Sequence, residues 1–132
     1  MNRASAAELL SELDKLLRLH TDFAAVAART DEGRRKDLIG LRRMLAEQIA
    51  VVGNIADPFF AALGEELSRT YRAKFSHVRS TAAMHQANWP AVRIGEANDA
   101  YLASATVVRE ANRDFVAWAQ RVIKASTQSA SS

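Results

Sequence analysis

The sequence predicts an all-α protein folded as an antiparallel, up-down-up-down four-helix bundle. Three observations lead there. Apolar residues recur at three- and four-residue steps along four separate stretches of the chain, the pattern of helices that each bury one stripe. No alternating apolar run and no hairpin turn signal competes with that pattern. The connections between the first three stretches are short, which favours antiparallel neighbours.

The first stretch carries Leu9, Leu10, Leu13, Leu16, Leu17, His20, Phe23 and Ala27 on one side, with Glu12, Asp14, Lys15 and Arg18 mostly on the other. Ser5 with Glu8 reads as a capping box at its start. The second runs from about Asp31 to Gly53 or a little beyond, with Leu38, Leu41, Leu45, Ile49 and Val52 as its stripe. Thr30 or Asp31 is the expected cap. Asp57-Pro58 is the strongest punctuation in the chain, because Asp caps a helix and Pro is pre-set for its first turn. A third helix is expected to begin there, burying Phe60, Leu63, Leu67, Tyr71, Phe75, Val78, Ala82 and His85. It should stop near Asn88, since Trp89 precedes Pro90 and is steered out of the α region. The one long connection is 89–98. A fourth helix, capped by Asn98 or Asp99, presents Tyr101, Ala105, Val108, Asn112, Phe115, Ala119 and Val122. Residues 1–125 then form one helical domain, and the Ser/Thr/Gln/Ala segment 126–132 is expected to be a disordered polar tail with nothing to bury.

Composition narrows the chemistry. With 48% apolar residues over 132 positions, the chain can bury a core of ordinary size. It lacks cysteine altogether, which removes disulfides, thiolate nucleophiles and cysteine-held zinc or iron–sulfur centres. No run of about 18 uncharged apolar residues is present, and Glu8, Glu12 and Asp14 interrupt any apolar leader. No membrane insertion and a cytoplasmic location are the expectations. The formal charge of +3 is modest. Arg29, Arg34, Arg35, Lys36, Arg42 and Arg43 come nearest to a basic patch, but Asp31, Glu32 and Asp37 are interleaved with them, so a solvated helix surface is expected rather than a nucleic-acid footprint.

The three histidines supply no metal constellation. His77 and His85 are eight residues apart, about 12 Å along a helix axis, too far to share an ion. His20 falls on the first apolar stripe, where one hydrogen bond would satisfy it. No Glu-x-x-His pair is present. A phosphotransfer histidine would want a cation three residues on, but Phe23, Ser80 and Asn88 stand there. No Ser/His/Asp grouping or glycine-rich phosphate loop is visible. The sequence therefore predicts no catalytic residue, no metal ligand and no cofactor.

Leu19-His20, Asp57-Pro58-Phe59-Phe60, His85, Trp89, Ile94 and Tyr101 occur in an order that resembles the bacterial hemerythrin-like, HHE-type bundles over most of the chain. The resemblance implies a four-helix bundle, and it implies ligand positions that this sequence fills poorly. Only His20 matches a ligand. The His-x-x-x-Glu of the second helix falls at Val52 and Ala56, the third-helix ligand near Lys74, and the fourth-helix ligand near Asp114 or Trp118. A cation such as Lys74 turned inward would oppose a metal.

The function expected is a non-enzymatic interaction or regulatory bundle. One alternative is a hemerythrin-like metal or small-ligand binder, and a second is a small export or assembly chaperone. His20, Lys74, His85 and Trp89 are the candidate pocket or partner-contact residues. Trp89, Pro90, Val92 and Ile94 put apolar surface on the long connection, to be packed over the bundle end or offered to a partner. The fourth helix, with Leu102, Val107, Phe115, Val116, Trp118 and Val122, carries more apolar surface than one seam would cover, so a protein partner or self-association is expected.

Overall fold

The computed structural model describes residues 3–90 and 99–131, with side chains for 5–90 and 99–128. Four helices account for nearly all of them: α1 (Arg3–Ala27), α2 (Arg34–Ala62), α3 (Glu65–Asn88) and α4 (Asp99–Ser131). Among the described residues there is no strand. Helices α1 and α2, α2 and α3, α3 and α4, and α4 and α1 pack as neighbours, a closed ring of four around one core. Helix α1 runs antiparallel to α2, and α3 to α4, because paired contacts climb one helix as they descend the next. Arg34 Nε donates to Ala27 O where α1 hands over to α2, and Gln48 Nε2 reaches Glu12 O farther along the same pair. Between α3 and α4, Lys74 meets Asp114 and His85 meets Ser104.

The leucine stripe of α1 does what its spacing predicts: Leu9, Leu13 and Leu16 are fully buried. They face Val52, Ala56 and Phe60 of α2, Tyr71, Phe75 and Val78 of α3, and Phe115, Val116, Ala119 and Ile123 of α4. An aromatic stack ties three helices together at the centre. Phe60 lies 4.8 Å from Tyr71 and 5.2 Å from Trp118, and Phe75 lies 5.2 Å from Phe115. Such ring pairs add roughly 0.5–1.5 kcal/mol each beyond the area they bury.

Asp57-Pro58 does not open a helix. Pro58 sits inside α2, which continues to Ala62. Proline removes one helical hydrogen bond and crowds the preceding turn, costing about 3 kcal/mol. Helical continuity is favoured in return because Val52, Ala56 and Phe60 recur at four-residue steps, all buried, and a break at Pro58 would take Phe60 off that face. Asp57 is engaged across the seam instead, where Tyr71 Oη donates to its carboxylate. The true break lies at Gly64, whose φ of 115° and ψ of 164° fall in a region open essentially to glycine alone. Glu65 and Glu66 then fill the first turn of α3, on the side the helix dipole favours.

Other boundaries move for similar reasons. Helix α1 extends back to Arg3, so Ser5 lies within it rather than capping it. Helix α2 begins at Arg34 behind Gly33, with no side-chain cap from Thr30 or Asp31. The Asp31 carboxylate accepts from Gly33 N at 3.1 Å and pairs with Arg29 at 2.6 Å, and Arg29 also reaches Asp37 at 2.7 Å. This exposed knot fixes the turn, and the Arg29 guanidinium holds the Asp31 carboxyl down to about 2. Asp99 is the first residue of α4, while Asn98, Val92 and Ile94 lie outside the described residues. The segment from Ser126, expected to be a disordered tail, continues α4 to Ser131. No Gly or Pro follows to stop the helix, and the Ser126 and Thr127 hydroxyls bond back to Ile123 O and Lys124 O.

Two expectations about surfaces change as well. Phe115 and Val116 of α4 are fully buried, and only Leu102 and Val107 of the apolar set there are exposed. A helix inside a four-membered ring touches two neighbours and the core at once, so its buried arc is wider than a two-helix seam. The basic segment divides: Arg34 is buried against the end of α1 and Arg42 Nη2 donates to Trp89 O at 2.6 Å, while Arg35, Lys36 and Arg43 are exposed, as a solvated helix surface requires. No helix among the described residues is long and apolar enough to cross a membrane.

Candidate functional site

Small side chains open a cavity where α1 faces α4. Ala24 and Ala27 on α1, with Ala28 just after it, lie opposite Ala105 on α4, and four alanines leave unfilled the volume that larger residues would interdigitate to occupy. The resulting cavity holds about 360 Å³, within the range of small-molecule sites. Leu45 of α2 and His85 of α3 close its sides. Ala24, Ala28 and Leu102 are exposed and form its mouth, whereas His20, Tyr101 and Val108 are buried. The walls are mainly apolar, with polar atoms at two levels.

At one level stands His20, carried inward by the α1 stripe one turn after Leu16 and 7% exposed. Its ring lies 6.3 Å from that of Phe23. Burial depresses its basicity most; hydrogen bonding to the Asn112 side chain acts in the opposite sense, and the charges of Arg109 and then Arg113 depress it further. The imidazole is therefore neutral at pH 7. Asn112 Nδ2 donates to Val108 O. Three buried atoms at this level, His20 Nε2, Asn112 Oδ1 and Arg109 Nε, make no hydrogen bond of good geometry, although the Asn112 side chain lies near enough to His20 to act on it as a hydrogen-bond partner.

At the other level His85 Nδ1 and Ser104 Oγ are 2.6 Å apart. The His85 ring packs 5.3 Å from Tyr101, and Trp89 meets the same tyrosine edge-on at 5.4 Å. Burial, then the Arg42 charge, brings His85 down to about 4. Because its folded value lies below the ordinary 6.5, the unfolded chain binds the proton more tightly, and the stability the neutral ring confers is present above about pH 6.5 and lost as pH falls towards 4. The ceiling is about 3 kcal/mol, reduced because the ring is only partly shielded from water. Chemical denaturation at pH 7 and pH 4.5 should show this loss, and His85→Gln should flatten the slope between them.

Of the four residues singled out by sequence, the fold unites two and a half-step neighbour. His20 and His85 line the cavity, and Trp89 supports it through Tyr101. Lys74 does not belong there. Its ammonium pairs with Asp114 at 2.9 Å on the α3–α4 seam, because position 74 lies at the edge of a face whose centre is Tyr71, Phe75 and Val78. Sequence reasoning missed Arg109, whose available signal was a cation directly beside the apolar stripe of Tyr101, Ala105, Val108 and Asn112.

The positions to which the hemerythrin-like resemblance assigned ligands do not fit a metal. Among the described residues no group of three or more His, Asp or Glu side chains converges. His20 has two arginines as its charged neighbours, a setting that repels a cation. Compared with protein-family models, with curated proteins and with solved structures, the chain finds no match.

Proposed function

We propose that this chain is a non-enzymatic binding bundle with a regulatory role, whose small ligand enters the cavity between α1 and α4. The observation that carries this reading is the cavity of about 360 Å³ whose wall holds the buried Arg109 Nε, which no protein group satisfies, and the buried His20 Nε2, which makes no hydrogen bond of good geometry. Leaving such atoms unmade costs about 1–3 kcal/mol each, so native interiors rarely keep them without a use. Kinship with the HHE-type bundles would then be one of architecture, with the metal centre replaced by an organic-ligand pocket. Leu102, 48% exposed at the mouth, links the pocket to a partner: a ligand that covers it alters the apolar surface α4 presents.

The test uses a neutral apolar fluorophore, N-phenylnaphthylamine, together with metal analysis of untagged protein. One dye should bind per chain with increased emission, and Ala105→Phe, which fills the cavity from α4, should abolish binding while helicity and the denaturation midpoint are kept. Metal should be far below stoichiometric. Stoichiometric iron, manganese or zinc that disappears with His20→Ala would favour the metal-binding alternative, and a dye that binds Ala105→Phe equally well would remove the cavity from the account.

A further inference from the structure

The two levels of the cavity differ in charge as well as in chemistry. Tyr101 and Arg109 are eight residues apart on α4, about 12 Å along its axis at 1.5 Å per residue. Near Tyr101 the polar groups are already engaged in part: His85 is held by Ser104, and Tyr101 is packed between His85 and Trp89. Near Arg109 the balance is reversed. Arg109 and Arg113 bring two positive charges to the neighbourhood of His20, and no ion pair within the described residues engages either arginine. His20 is more than nine-tenths buried, lines the cavity, and has Nε2 without a well-formed hydrogen bond, while Arg109 Nε is buried with no partner.

Such an end attracts negative charge. A half-buried arginine whose Nε is shielded from water binds a carboxylate through charge-assisted hydrogen bonds, and a neutral imidazole beside it can donate one more. The remaining wall, from Phe23 through Leu45 and Val108 to the alanines, offers only apolar contact. At roughly 30 Å³ for each water-sized group, the cavity accommodates about a dozen such groups.

We infer that the ligand is an amphipathic monocarboxylate of medium-chain fatty-acid size, its head at Arg109 and His20 and its apolar body lying along the cavity towards Tyr101. This assignment rests on the binding-bundle reading and adds the sign of the ligand's charge to it. A bound carboxylate would satisfy Arg109 Nε and His20 Nε2 together. A cationic amphiphile would meet Arg109 and Arg113, and a neutral one would leave the guanidinium uncompensated.

Calorimetric titration of the full chain at pH 7.5, with decanoate, decanol and decylammonium each below its micellar concentration, separates the possibilities. Decanoate is expected to bind one per chain, about tenfold or more tightly than decanol, with decylammonium weakest. Arg109→Gln should remove the preference for decanoate over decanol, and Ala105→Phe should abolish binding of both. Equal affinity of decanoate and decanol for the wild-type chain would overturn the anionic assignment while leaving the cavity reading intact. Failure of all three amphiphiles to bind would overturn the cavity reading itself. Because the comparison among ligands is made on the unaltered protein, it holds even if Arg109→Gln does not fold.

Discussion

Phe60→Ala is expected to destabilise the protein by about 3–5 kcal/mol, the range for deleting a large aromatic side chain from a packed interior. The ring is fully buried and is the hub of the central stack, with Tyr71 at 4.8 Å, Trp118 at 5.2 Å and Phe59 edge-on at 5.4 Å. Truncation removes transfer free energy and also leaves a hole that three helices would have to close together. Those neighbours are constrained: Tyr71 is held by Asp57, and Phe75 is pinned between Phe115 and the Arg79 guanidinium, 4.4 Å above its ring. Little relaxation is available, which places the effect in the upper part of the range. Urea unfolding should show a lower midpoint at unchanged slope, and the melting temperature should fall by about 10–20 °C. A loss under about 1 kcal/mol would show that the stack is not the centre of the core.

Trp89→Ala is the second large effect, expected near 3 kcal/mol. The residue is 7% exposed and closes α3, its N–H donating to His85 O at 2.9 Å and its carbonyl accepting from Arg42 at 2.6 Å. Both backbone bonds survive substitution, so the loss comes from the indole and its edge-on contact with Tyr101. The effect falls at the lower end of the range for that reason. Trp89→Phe should recover part of it. The same indole could have been a partner hot spot on sequence grounds, and the two roles separate cleanly in the measurement. A near-unchanged midpoint accompanied by lost self-association or partner capture would return Trp89 to the surface role.

The fold was legible in the sequence wherever burial repeats along a single helix. Leu9, Leu13 and Leu16 needed only their spacing to be placed in the core, and the end of α3 followed from Trp89 standing before Pro90. Local chemistry misled where it competed with burial. Asp57-Pro58 carries the strongest helix-start signal in the chain, yet keeping Phe60 in register with Val52 and Ala56 outweighs the lost hydrogen bond, and the break moves to Gly64. Serine and threonine at 126–127, read as a tail with nothing to bury, lie within α4, their hydroxyls bonded back to Ile123 O and Lys124 O.

The candidate site was harder to see because it consists of missing volume. Ala24, Ala27, Ala28 and Ala105 read along the chain as ordinary apolar residues, and only when α1 is set against α4 do they become a cavity. His20 was identified from its place on a stripe, whereas Arg109 owes its importance to which atoms fail to meet it, a property of three helices together. Lys74, assigned inward by resemblance, finds Asp114 forty residues away. The sequence by itself therefore determined the four helices, the absence of cysteine chemistry and the inward face of each helix, because hydrophobic periodicity is a property of one segment at a time. Only the tertiary structure decided where α2 ends, which cations are spent in joints and where the cavity lies, because each depends on volume and charge contributed by helices far apart in the chain.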